Sequence, residues 1–281
     1  MANSRDVIEA GSDLQELYIP PPGTPKQIDV VAVHGLGGHY LNTWTHVPSR
    51  GNGDVTLWLR DLLPQKLPNA HVMSFSYDSA IYSRADQSVR ATAGKLVQLL
   101  RNIREEYEDE NRPIVFIGHS LGGIIIKQAL KHAKDKRPRF SDIHTNTTGL
   151  IFFATPHRGA DAARWAAIVM DIASSMSLRP SSGFLNALQT DSETLLSVSE
   201  DFLPLAGSVQ LVSFWEEHTH PVLGKPVVDK SSAVMGLPNE EVMMLGGNHQ
   251  AICRFGVGDR RFDPVWRAIR RSAKKLSPGL F

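Results

Sequence analysis

The segment PIVFIGHSLGGIIIKQAL (113–130) decides the fold, because three local signals meet in it. IVFIG (114–118) is a short apolar run rich in β-branched residues, as in a strand buried on both faces. GGIIIKQALKHA then predicts a helix beginning near Ser120, its glycines letting the helix backbone lie close to the strand. Between them, Gly118-His119-Ser120-Leu121-Gly122 is a G-x-S-x-G sequence. A strand, a sharp turn and a helix in that order push the serine hydroxyl above the sheet edge, so Ser120 is the candidate nucleophile.

Outward from this segment, the same strand signal recurs in IDVVAV (28–33), VMSFSY (72–77), GLIFFA (149–154), VQLVSF (209–214) and VMML (242–245). The segments between them are long enough for crossover helices. The clearest covers about 87–108, where Val89, Ala93, Leu96, Leu100, Ile103 and Tyr107 form one apolar stripe and Arg101, Arg104, Glu105, Glu106 and Glu108 are expected mostly in water. A last helix starts near DPVW (263–266), with Phe262, Trp266, Ile269, Ala273 and Leu276 along one side, and is expected to close the fold. Strands alternating with helices predict one α/β domain over 26–281, a mainly parallel sheet with helices on both faces. The polar start and IPPPGTP set 1–25 apart as an amino-terminal arm. From His157 to Leu205 the helical runs do not alternate with strands, which predicts a helical lid insertion over 157–205.

Composition narrows the function. Of 281 residues, 42% are apolar and 21% charged, enough for a substantial core. The balance of 30 Lys plus Arg against 29 Asp plus Glu lacks the basic excess of a chain built to hold nucleic acid. One cysteine, Cys253, makes neither an internal disulfide nor a multi-cysteine zinc site. The first residues carry charges where a secretory signal needs an apolar run, and no run approaches a membrane span, so a soluble, intracellular (cytoplasmic) protein is expected. Transient contact with a membrane surface stays compatible with that expectation. HGLGGHY (34–40) does not follow the G-x-G-x-x-G register, and no Walker sequence occurs.

A serine nucleophile needs an oxyanion site, a base and an acid. The backbone N–H of Leu121 at the helix start is one candidate donor, and that of Leu36 in the loop after the first strand is the other. His249 follows VMMLGGN, after the last strand, where the general base belongs. His34 and His119 are expected to support the oxyanion loop and the elbow, while His157, His218 and His220 are candidates for the pocket lining. For the acid, Glu216 and Glu217 follow a strand directly, and Asp229 is the rival later in the same excursion; Glu216 is first into the loop. Trp165, Ile168, Val169 and Leu178 of the lid are candidates to line an acyl pocket. The chemistry requires no cofactor and no metal.

With these landmarks on one chain, the sequence resembles the α/β-hydrolases, and within them the SERAC1-like and PGAP1-like lipase or esterase domains. The resemblance rests on HGLGGHYLNTW (34–44), WLRDLLP (58–64), SFSYDS (74–79), IVFIGHSLGGIIIKQAL (114–130), FFATPHRGA (152–160), SFWEEHTH (213–220), VVDKSSAVMGLPNEE (227–241) and NHQAICRF (248–255). It implies a triad of Ser120, Glu216 and His249, oxyanion donors at Leu36 and Leu121, and hydrolysis of carboxylic esters, small molecules or lipids, through an acyl-enzyme. The chain is also similar to the amino-terminal effector modules of fungal immune-receptor-like proteins. A low-turnover signalling effector with a protein partner, or an acyltransferase, is therefore open beside the esterase, and the oligomeric state is not implied.

Overall fold

The computed structural model describes residues 13–24, 26–48, 53–78, 89–108, 111–158, 162–175 and 195–274. Seven strands form one sheet in the order β1-β5-β2-β6-β7-β8-β9, and β3 (Thr45–His46) pairs with β4 (Thr56–Leu57) in a small ribbon. β2 (Ile28–Val33), β5 (Ala70–Ser76), β6 (Ile114–His119), β7 (Thr147–Phe153), β8 (Gln210–Glu216) and β9 (Glu240–Leu245) all run parallel. The strand carrying the G-x-S-x-G turn, β6, lies between β2 and β7 in the interior of the sheet.

Alternation along each strand divides the interior into two cores. Val31, Val33, Phe116, Leu150 and Phe152 face one core, and Val30, Ala32, Val115, Ile117, Ile151 and Phe153 face the other. The helices follow from that division. The short α1 (Trp58–Asp61) and α2 (Leu63–Lys66) cover the second core through Trp58, Leu59 and Leu63. α3 (Val89–Glu106) and α4 (Gly122–Asp135) cover the first through Leu96, Leu100, Ile124 and Ile126, beside the short α5 (Ser141–Asn146). α6 (Ala162–Ser175) and helical residues 195–206, called α7, add Ile168, Ile172, Val198 and Phe202 to that side. After the one-turn α8 (Lys230–Ala233), α9 (Phe262–Ser272) buries Phe262, Val265, Ala268 and Ile269 in the second core. Its apolar side closes the fold, as expected; Leu276 lies outside the described residues. No helix among the described residues is long and apolar enough to cross a membrane.

The sequence pattern differs from the structure at the sheet edge. Asp13–Tyr18, assigned to the arm, is β1, which pairs antiparallel with β5. Its residues are mostly polar because an edge strand buries little; only Leu14 is buried. Beneath it lies a buried ionic cluster. Asp29 is fully buried, its carboxylate bound by Arg104 and, at 2.7 Å, by Arg112, with His71 Nδ1 at 3.4 Å. His71 Nε2 meets Glu16 of β1 at 2.5 Å, which links the edge strand to the cluster. Arg104, expected in water, is therefore fully buried: it stands on the border of the apolar stripe of α3 and reaches a carboxylate on β2.

Burial alone would push the Asp29 carboxyl up, but the His71 contact and the positive charges of Arg112 and Arg104 outweigh it and hold the carboxyl below its ordinary 3.8. Its contribution to stability is then fully present above pH 3.8 and lost as pH falls from there through the lower folded-state value. Replacing Asp29 by Asn leaves two buried guanidinium groups short of their counter-charge. Urea unfolding at pH 7 should show a loss of about 3 kcal/mol. Repeated below pH 4, the same measurement should show the gap between the two proteins narrowing.

Candidate active site

The carboxyl ends of β2, β6, β8 and β9 open on the same edge of the sheet, so the loops after them meet there. At the end of β6, Ser120 takes φ 53°, a left-handed conformation that is costly for a residue with a side chain. Close packing around the turn holds it. A Cβ on Gly118 would lie 2.7 Å from the Gly123 Cα, and one on Gly122 would lie 2.2 Å from the Val33 carbonyl oxygen and 2.4 Å from that of His34. These glycines bring the first turn of α4 against both β6 and the end of β2.

Ser120, His249 and Glu216 form a continuous hydrogen-bonded chain. His249 Nε2 is 3.0 Å from Ser120 Oγ, and His249 Nδ1 is 2.8 Å from Glu216 Oε1. All three residues are buried. Glu216 ends β8 and is fixed by two backbone donors, Val227 N–H to Oε2 at 3.0 Å and Val228 N–H to Oε1 at 2.9 Å. The structure thus separates the three carboxylates that the sequence leaves in competition. Glu217 points outward toward His218, 3.9 Å away. Asp229 caps α8 by accepting from Ser232 N–H at 2.8 Å and pairs with Arg164 at 2.7 Å.

The backbone around the serine is equally constrained. A Cβ on Gly35 would lie 2.7 Å from Ser120 Cβ and 3.2 Å from the Leu121 nitrogen, so the loop carrying Leu36 runs against the elbow. Leu36 and Leu121 are both buried. His34 stacks on Tyr77 at 4.2 Å between ring centroids, and the Tyr77 hydroxyl donates to the His34 carbonyl at 2.5 Å. Burial pushes the His34 imidazole down to about 4, so it is neutral where it supports this loop. His119 is likewise held neutral, chiefly by burial and then by the neighbouring His249. Its Nε2 lies 2.8 Å from the His249 carbonyl oxygen, and as the donor it fixes the backbone of the residue facing Ser120.

Sequence patterning does not reveal two further supports. Arg261 donates to the carbonyls of Gly246 at 2.5 Å, Ala251 at 3.3 Å and Arg254 at 3.0 Å, so one guanidinium holds both sides of the His249 loop. An arginine just before a helix gives no sign of such reach. α6 braces the acid loop through Asp171 to Lys225 at 2.6 Å and Arg164 to Asp229, and its Ser175 carbonyl accepts from Gln250 Nε2 at 2.9 Å.

The lid candidates fall elsewhere. Trp165, Ile168 and Val169 are buried in the same core as Leu36 and Leu121. Trp165 also borders a cavity with Lys127 and His157, and Ile168 a smaller one with Arg164 and Asp229; no triad residue is among the described lining of either. The apolar face of α6 packs inward, which places these side chains against the core. Leu178 lies outside the described residues. Of the other histidines, His157 lines the first cavity, His218 is exposed, and His220 Nδ1 accepts from Val222 N–H at 3.3 Å. Cys253 is buried beside the Thr43 carbonyl, and burial pushes its thiol up to about 12.

Residues 26–200 match the family described as "Putative serine esterase (DUF676)". The chain belongs to this family. It is 29% identical to bovine Protein SERAC1 and 28% to the human protein, in each case over 248 residues covering 82% of this chain and 36% of the relative. The chain thus matches about a third of the length of those relatives. Among solved structures it is similar to Bacillus licheniformis lipase BlEst2 in mature form, with TM-score 0.56 and 16% identity over 92% of this chain and 98% of that one. It is also similar to the peroxisomal alpha-beta-hydrolase Lpx1 of Saccharomyces cerevisiae, with TM-score 0.51 and 10% identity over 96% and 91%. These likenesses establish the α/β-hydrolase fold, and family and fold together support hydrolase activity.

The close approach at the elbow is testable against another helical glycine. Gly122→Ala forces backbone apart and should lower stability by roughly 3 kcal/mol. Gly94→Ala in α3 meets only His132, at 3.5 Å, and should raise it by about 0.5–1 kcal/mol. Chemical denaturation of both variants checks the contrast.

Proposed function

We propose that the chain is a serine hydrolase of carboxylic esters acting through an acyl-enzyme. One observation carries the reading: the chain of hydrogen bonds, 3.0 and 2.8 Å long, from Ser120 through His249 to Glu216. Ser120 Oγ attacks the ester carbonyl carbon as its proton passes to His249 Nε2. Glu216, held by its two backbone donors, keeps Nδ1–H oriented and stabilises the imidazolium. The tetrahedral oxyanion is bound by the N–H groups of Leu36 and Leu121. His249 then protonates the departing alcohol, and a water deprotonated by the same nitrogen releases the acid and restores Ser120.

The part of such an ester that an apolar surface beside Ser120 would bind is its alkyl acyl group. Each methylene buried contributes on the order of 0.8 kcal/mol, so turnover efficiency should rise from acetyl to medium-chain esters.

A fluorophosphonate probe with peptide mapping should label Ser120. In single-turnover ester cleavage, Ser120→Ala and His249→Ala should each lose about 10⁴-fold or more, and Glu216→Gln about 10³–10⁴-fold, with unchanged circular dichroism. Glu217→Gln and Asp229→Asn should stay within about threefold, since neither reaches His249. Folded Ser120→Ala protein that still cleaves esters at the wild-type rate would remove the mechanism.

A further inference from the structure

The loop after β7, residues 235–237 and the helices α4, α6 and α7 line an open cavity of about 550 Å³, within the roughly 300–1,000 Å³ of small-molecule sites. Its described lining includes none of Ser120, Glu216, His249, Leu36 or Leu121. What distinguishes it is polar chemistry left without partners. Both ring nitrogens of His157, the Trp165 indole N–H and the Ser199 hydroxyl make no hydrogen bond among the described residues, although these residues are only 4%, 0% and 7% exposed. Folded proteins pair nearly all such groups, so several at one cavity mark a place where a bound molecule completes the pairing.

The charges at the cavity point the same way. Lys127, 1% exposed, has no hydrogen bond or ion pair among the described residues, and its amine stands 5.6 Å from the centre of the Phe202 ring. Burial, opposed only in part by Glu240, pushes its amine down to about 7. Glu240 is engaged elsewhere, accepting from Ser213 Oγ and from the Met235 and Gly236 amides. Arg158 is seated by its bond to the Met235 carbonyl and by Gly236, where a Cβ would collide with the guanidinium. Burial first, and then the positive charges of Lys127 and Arg158, keep His157 neutral. Against these two basic side chains the lining offers one carboxylate, Glu200, while Trp165, Leu196 and Leu203 supply apolar wall.

We infer that this cavity binds an amphiphile with one acidic group, its anionic end between Lys127 and Arg158 and its alkyl part against Trp165, Leu196 and Leu203. An anionic group offsets the positive charge at the cavity, and the donors at His157, Ser199 and Trp165 that have no partner among the described residues surround the acidic oxygens. Carboxylate and phosphate monoester share this chemistry. The site is independent of the esterase reading, because it includes no group of the triad.

Full-length Ser120→Ala protein, which cannot turn over an ester by that mechanism, is titrated calorimetrically with decanoate, decyl phosphate and decanol below their aggregation thresholds, with tryptophan fluorescence as a second readout. At least one of the anionic probes should bind saturably at one site, about tenfold or more tighter than decanol, and the tighter anion identifies the headgroup. Adding Lys127→Met should weaken that anion about tenfold while leaving the melting temperature equal or higher, since an unpaired buried amine is replaced by an apolar chain of similar length. If that variant does not fold, Ser199→Ala and Arg158→Gln carry the same comparison. Wild-type protein blocked at Ser120 by the fluorophosphonate should bind the anion as Ser120→Ala does. Absence of saturable anion binding, equal affinity for decanol, indifference to Lys127→Met, or loss of binding on blocking Ser120 would each overturn the site.

Discussion

The backbone of Ser120 is bent into a conformation that residues with side chains avoid, and the rest of the site is arranged around that bend. The turn persists because β6 lies inside the sheet and α4 is pressed onto two strands at once. Gly118 and Gly122 allow that approach, since a methyl group at either would meet backbone. The reward is geometric. A hydroxyl raised above the sheet edge is reachable from loops that follow other strands, and the loops after β2, β8 and β9 reach it. Strand order therefore brings together residues that are 129 positions apart in the chain.

The same rigidity extends outward through hydrogen bonds that engage the main chain of the loops. Glu216 is held by the amides of Val227 and Val228, and His249 by His119 through its carbonyl. Arg261 grips the loop around the histidine by three carbonyls. Each support fixes main chain, so the triad distances depend on folding of the sheet edge as a unit. The ion pairs from α6 to Lys225 and Asp229 are exposed and contribute little to stability individually, but they lie on the loop whose amides bind Glu216.

Much of this was legible in the sequence because it is written in local patterns. Apolar runs marked the six parallel strands, and the spacing of Gly118, Ser120 and Gly122 marked the turn. Position after the last strand selected His249 among 11 histidines. What escaped depends on partners distant in sequence. Arg104 looked solvated because its carboxylate, Asp29, is 75 residues away. β1 looked like an arm because an edge strand needs few apolar residues. Glu216 and Glu217 are adjacent and chemically alike, so composition could not separate them; the alternation of an extended strand does, turning one inward and its neighbour out. Trp165 and Val169 looked suited to a lid because a helix face packed on a core and one covering a pocket have the same period.

Two buried groups of charge stand in this fold, and their contrast separates architecture from function. At Asp29, two guanidinium groups and an imidazole surround one carboxylate, and the edge strand is tied in through Glu16. At Lys127 the amine is as deeply buried, yet beside the Phe202 ring its cavity holds an imidazole, a hydroxyl and an indole N–H that have no hydrogen bond among the described residues. Burying charge in the first case joins elements of the sheet and α3. In the second the amine gains no hydrogen bond or ion pair among the described residues, only the face of the Phe202 ring 5.6 Å away, and an apolar side chain of similar size would pack there at lower cost. Local rules of burial are broken where something other than folding is served, and a cavity with two basic side chains, donors without a partner among the described residues and an apolar wall breaks them in the direction of an acidic ligand.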